Sequence, residues 1–150
     1  MDKASLATAL NRHSIIAVDS MVFIYHLEAH PDYLPLTRIL FKRIESGKNR
    51  AVGSYLSLME VLTLPYRLNR QNLILTYRNL LGDFPHLSLW PLDQATADLA
   101  ASIRGHHQIS TPDAIQLATA LQQKATAFVT NDHQLKKIPE IDILLLDKFV

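Results

Sequence analysis

Cysteine is absent from this 150-residue chain. That excludes a disulfide scaffold, thiolate zinc, iron–sulfur ligation and a cysteine nucleophile. Glycine is scarce, with four residues, and none builds a phosphate-cradling loop. Gly53-Ser54 does not extend to the glycine-x-serine-x-glycine elbow of a serine hydrolase. No apolar run approaches the roughly 18 residues of a membrane span. The first stretch, Met1 to Arg12, carries Asp2 and Lys3 where a signal peptide would need an apolar core. A soluble protein of the cytoplasm is the expectation. Net charge is only +1, so no global basic field advertises nucleic-acid binding.

Hydrophobic residues, by contrast, make up 48% of the chain. A chain of this length buries roughly 68–70% of its unfolded surface, and no linker, repeat or low-complexity segment divides it. One domain over residues 1–150 is expected. Local basic density remains: Arg38, Lys42, Arg43, Lys48 and Arg50 are interrupted only by Glu45, and Arg67, Arg70 and Arg78 form a second group. These are solvated helix faces or contacts to phosphate or a partner.

Strand-like runs fall at Ile15–Val18, Arg50–Gly53, Leu87–Trp90, Ala127–Thr130 and Ile141–Leu146. Helical patterns separate them. Tyr33–Ser46 puts Leu36, Ile39, Leu40 and Ile44 near one face and stops at Gly47; Ser54–Leu64 runs to Pro65; Asn69–Leu81 stops at Gly82. A helix from Asp93 to about Gly105 follows, with Ala97, Ala100, Ala101 and Ile103 inward. Another helix, capped by Thr111 with Pro112 at its first position, runs to about Lys124. Alternating strands and helices imply parallel pairing. The expected fold is a three-layer α/β/α sandwich around a mainly parallel sheet of about five strands.

Four of the fourteen acidic residues sit at the margins of core segments. Asp19 ends the apolar run Ile15-Ile16-Ala17-Val18, and Asp132 follows Ala127-Phe128-Val129-Thr130-Asn131. In parallel sheets ligands bind beyond the carboxyl ends of the strands, which gives these two a reason to meet. Asp113 opens a helix, where a macrodipole partner is an equally good explanation. Asp19 and Asp132 also suit helix caps. Glu60, mid-helix among Leu56, Ser57, Thr63 and Leu64, is explained by neither. Converging carboxylates repel by about 4 kcal/mol per pair at 4 Å and an effective dielectric near 20. A hard cation such as magnesium or manganese would relieve this and could activate water against a phosphodiester. One ion or two is left open.

The segments Ile16-Ala17-Val18-Asp19-Ser20, Ser57-Leu58-Met59-Glu60-Val61-Leu62, Thr111-Pro112-Asp113-Ala114-Ile115-Gln116-Leu117-Ala118-Thr119-Ala120 and Val129-Thr130-Asn131-Asp132 resemble the signatures of PIN domains. They occur in order, within Ile15 to Leu146. The subgroup they most resemble is the VapC-like toxin ribonucleases of toxin–antitoxin pairs. The resemblance implies a Mg²⁺- or Mn²⁺-dependent endoribonuclease acting on RNA. Asp19, Glu60, Asp113 and Asp132 would be its catalytic and metal-binding residues, with Ser20 and Thr130 in support. It also implies a homodimer and, for toxins, an inhibitory antitoxin. Two positions depart from the pattern. Met21 stands where many members carry asparagine, so a side-chain amide is replaced by a thioether. Gln116 stands where many carry histidine, a change expected to matter less.

Two other readings compete. A PIN fold can hold RNA or protein without cutting, and Met21 motivates that reading. An acidic α/β phosphatase or phospho-acceptor domain also places an aspartate after its first strand; the mid-helix Glu60 and the Thr111-Pro112-Asp113 helix start argue against it. A histidine metal site is disfavoured, because His106 and His107 diverge on a helix and Pro31 interrupts the His26–His30 spacing.

Overall fold

The computed structural model describes residues 3–150, with side chains from Ser5 onward. Five strands, β1 (Ile15–Val18), β2 (Arg50–Ser54), β3 (Leu87–Trp90), β4 (Ala127–Thr130) and β5 (Asp142–Leu145), form one sheet in the order β3-β2-β1-β4-β5. Every pairing is parallel. Residue alternation builds a core on each face. Ile16, Val18, Ala51, Ala127, Val129 and Leu144 join one apolar cluster, while Ala17, Val52, Phe128, Ile143 and Leu145 join the other. The central strands β1 and β4, buried on both faces, read as continuous apolar runs, whereas the edge strand β3 alternates half-buried and exposed residues.

Helices α1 (Lys3–Leu10), α2 (Ser20–Leu27), α3 (Leu34–Glu45), α4 (Tyr55–Arg67) and α5 (Gln71–Asp83) precede β3. All five contribute to the first cluster, through Leu6, Val22, Leu40, Val61 and Leu81 among others. Helices α6 (Gln94–His107) and α7 (Thr111–Gln122) pack into the second. The architecture is thus the three-layer sandwich anticipated, with an all-parallel sheet.

Several boundaries differ, each for a local reason. Helix α1, which the sequence pattern did not flag, buries Leu6 and Leu10. Helix α4 passes through Pro65, because only one amide bond is lost there and the end lies a turn away. Its stop is Asn69 at φ 53: Asn69 N–H donates to the Tyr66 carbonyl and Arg70 N–H to the Pro65 carbonyl, closing a Schellman motif. Helix α5 likewise runs through Gly82 and ends because Phe84, preceding Pro85, is held extended. Helix α6 buries Thr96, Ala100 and Ile103, whereas Ala97 and Ala101 face outward. Helix α7 is capped by Ser110, whose hydroxyl accepts from Asp113 N–H at 3.2 Å; Thr111, expected as the cap, is its first residue.

The order of connections reverses at β1: the chain moves from β1 to β2 and β3 on one side, then crosses to β4 and β5 on the other. A crevice at the carboxyl ends of β1 and β4 follows from that reversal. Among the described residues, no helix is long and apolar enough to cross a membrane.

Candidate active site

Asp19 extends β1 by one residue, its N–H donating to the Val129 carbonyl at 3.0 Å. That bond fixes the carboxylate at the carboxyl edge of the β1–β4 pair. Asp19 occupies the N-cap position of α2, yet its side chain makes no capping bond. It accepts instead from Thr130 Oγ1 at 2.6 Å, and Thr130 is fully buried at the end of β4. The same Thr130 oxygen accepts from Asp132 N–H at 3.0 Å. One hydroxyl therefore holds both strand-end acids in register.

Asp132 does cap, as its sequence setting allowed: Oδ1 accepts from Gln134 N–H at 3.0 Å at the start of a short 3-10 turn over His133–Lys137. Asp113 lies in the first turn of α7. Glu60, mid-way along α4, accepts from Ser20 Oγ at 2.8 Å through Oε1. All four carboxylates, with Ser20, Met21, Tyr25, Pro112, Gln116 and Asn131, line a single cavity of about 230 Å³. The predicted site residues are thereby brought together.

The electrostatics follow from that crowding. Burial raises the Asp19 carboxyl above its ordinary value; the Thr130 hydroxyl and Ser20 N–H pull it back, and Glu60 and Asp132 push it further up. Asp113 is pushed up to about 6, first by burial, with Asp132 and Asp19 adding to it and Ser110 opposing. A carboxyl that gives up its charge this readily sits in a pocket short of positive charge.

The lining offers four carboxylates and neither thiolate nor imidazole, which suits a hard divalent cation and not a thiophilic one. Among the described residues no three acidic or histidine side chains are arranged, as they stand, to hold a metal ion. An open pocket of acids, each tethered through one oxygen or one neighbour, fits an ion that keeps several waters. The histidines lie apart from it. His30 is beyond the end of α2; His106 and His107 bond the Ser102 carbonyl and Glu140.

Two residues were underweighted in the sequence. Gln116, expected to matter little, is 3% exposed and donates from Nε2 to Ser20 Oγ at 2.8 Å and Ser57 Oγ at 2.9 Å. Ser57 is one turn before Glu60 on α4, and that i,i+3 spacing was the available signal. Met21, 45% exposed, sits at the rim of the cavity. The first basic group is placed differently from the acids. Arg43 is committed to Asn49 and Asn11, and Arg50 opens β2 at the opposite edge of the sheet. In the second, Arg78 bonds Tyr66.

A five-stranded parallel sheet with four acids at its carboxyl edge, beside the reversal of strand order, defines a class of α/β proteins built to concentrate negative charge in one crevice. The family follows from sequence comparison: the PIN domain model matches residues 16–141, and the chain belongs to that family. No curated protein sequence matches the chain. Solved structures share the fold at low identity. One is a toxin–antitoxin complex from Klebsiella pneumoniae (16% identity, TM-score 0.67, 87% of this chain and 97% of that one). Another is DNA-bound VapBC from Salmonella typhimurium (20%, 0.63, 87% and 97%). A third is VapBC2 from Rickettsia felis bound to a promoter DNA fragment (20%, 0.60, 86% and 96%).

Proposed function

We propose that this PIN-domain protein is a VapC-like, Mg²⁺- or Mn²⁺-dependent endoribonuclease of the cytoplasm, the toxin partner of an antitoxin. The observation that carries the proposal is the convergence of Asp19, Glu60, Asp113 and Asp132 on one open pocket in which Asp113 is raised to about 6. Asp19, Glu60 and Asp113 would hold the cation, with Asp132 ligating it or orienting the attacking water. Bound there, the ion would lower the pKa of a coordinated water and neutralise charge on the phosphodiester.

The protein's own contribution is orientation. Thr130 Oγ1 fixes Asp19 and the backbone of Asp132 together, and Ser20 Oγ fixes Glu60. An RNA phosphate cannot approach four unneutralised acids without severe repulsion. A cation held by these acids would relieve that repulsion.

The relatives in fold come from toxin–antitoxin complexes, which supports a small inhibitory protein as partner. Homodimerisation accompanies the same reading. The decisive measurement is cleavage of a labelled RNA with and without Mn²⁺. Wild type is expected to cut only with the ion, and Asp113→Asn and Asp19→Asn to lose cleavage while keeping the folded far-UV spectrum. Undiminished cleavage by highly purified Asp113→Asn would sink the assignment. Manganese binding with no cleavage of any RNA would favour the non-catalytic binding module that Met21 motivates. Growth arrest on expression, relieved by an adjoining small reading frame, tests the toxin role.

A further inference from the structure

The bonds around Gln116 have only one consistent proton assignment. Gln116 Nε2 lies 2.8 Å from Ser20 Oγ and 2.9 Å from Ser57 Oγ; the two serine oxygens are 2.9 Å apart, and Ser20 Oγ is 2.8 Å from Glu60 Oε1. An amide NH₂ offers two donors, and a hydroxyl one donor and two acceptor sites. A carboxylate oxygen only accepts. The 2.8 Å contact to Glu60 therefore takes the single proton of Ser20. Ser20 Oγ must then accept from both Gln116 and Ser57, and Ser57 accepts the second amide proton. Turning the amide over would set its carbonyl oxygen against both hydroxyls and draw the Ser20 proton away from Glu60. The contact at Glu60 thus selects the orientation in which Gln116 donates twice.

This network joins three helices, α2 through Ser20, α4 through Ser57 and Glu60, and α7 through Gln116. Ser20, Ser57 and Gln116 are all buried, and among the described residues no buried side-chain polar atom lacks a partner. A buried polar assembly is costly unless complete. An apolar side chain of similar length would fill the same space, so packing alone does not account for the amide.

We propose that Gln116 is a positioning residue: by directing the Ser20 proton onto Glu60 Oε1 it holds the Glu60 carboxylate in place and leaves Oε2 for a divalent cation in the acidic pocket. The proposal rests on the metal-dependent reading above for the identity of that ligand. It makes Gln116, which never contacts the cation, a determinant of its affinity.

The test is Mn²⁺ titration calorimetry on the full chain, comparing wild type, Gln116→Met, Ser20→Ala, the double variant and Asp19→Asn. Gln116→Met keeps an unbranched side chain and removes both donors. Its affinity is expected to fall about tenfold to a hundredfold, the usual cost of losing a group that orients a metal ligand. The double variant should lose no more than the worse single one, because both break the same path. Gln116→His, which restores one ring N–H donor, should recover part of the loss. In RNA cleavage, kcat should fall in Gln116→Met with KM for RNA little changed.

Wild-type affinity in Gln116→Met, alongside abolished binding in Asp19→Asn, overturns the relay and leaves the metal reading intact. If wild type shows no Asp19-dependent binding, the metal reading fails. Crystal structures of wild type and Gln116→Met then decide the relay by the Ser20–Glu60 contact. Opening beyond hydrogen-bond distance supports it, and an unchanged contact refutes it. Should Gln116→Met not fold, Gln116→Glu keeps the shape, replaces donors by acceptors and is judged by the same criteria.

Discussion

Asp113 gives the site a pH signature whose sign and size follow from its surroundings. Its ordinary value of 3.8 is raised to about 6, principally by burial and then by Asp132 and Asp19. The folded protein therefore binds a proton at Asp113 that the unfolded chain has released between those values. Stability from this group is fully present below 3.8 and is lost as pH rises through about 6. At about 1.36 kcal/mol per pKa unit, complete shielding would make that roughly 3 kcal/mol. Asp113 is only half-buried, and solvent screening reduces the figure to about 1–2 kcal/mol. Asp113→Asn carries no charge at any pH, so its stability advantage over wild type should widen by that amount between pH 4 and pH 7.5. The assay is urea unfolding with a chelator present, equivalent to a melting-temperature difference of about 2–8 °C for a chain of this length. Using the difference between the two proteins removes titrations remote from Asp113, while those of Asp132 and Asp19 move with it. His26, whose pKa is lowered by burial and Arg38, works in the opposite direction below 6.5 but is present in both. Asp93 and Asp147, lowered by hydrogen bonds from Thr96 and Tyr33, act below 3.8. Mn²⁺ at pH 7.5 should stabilise wild type and have a much smaller effect on Asp113→Asn. A stability gap that stays constant with pH, or narrows toward pH 7.5, would refute the reasoning.

Thr130→Val keeps shape but removes both the donor to Asp19 and the acceptor for Asp132 N–H. It should cost about 1–3 kcal/mol in unfolding free energy and weaken Mn²⁺ binding in the same calorimetric assay. Asn49→Ala, away from the site, should destabilise by a similar amount with divalent affinity unchanged. The Asn49 amide donates to the Leu10 and His13 carbonyls and its oxygen accepts from Arg43 Nε. Urea unfolding and calorimetry separate the two variants.

Much of this protein is legible locally. The central strands β1 and β4 announce themselves because strands covered on both faces need unbroken apolar runs. Placing Asp19 and Asp132 after such runs was enough to predict that they meet, since parallel strands share one carboxyl edge. Glu60 stood out because no cap or dipole explains an acid in mid-helix. Helix ends were less legible where two signals competed, as when Pro85 and not Gly82 terminated α5.

The chain alone therefore determined the layering and the parallel sheet, because these depend on periodicity and on residues a few positions apart; the grouping of the four acids came from the resemblance to PIN domains. Only the tertiary structure decided how the acids are held. Thr130 reaches Asp19 across 111 positions and Gln116 reaches Ser20 across 96, separations at which no periodicity operates. It also decided that Asp19, although placed to cap α2, turns to Thr130 instead. Hydrogen-bond direction at a buried site is fixed by the donors and acceptors that happen to surround it. Those neighbours exist only once the helices have packed.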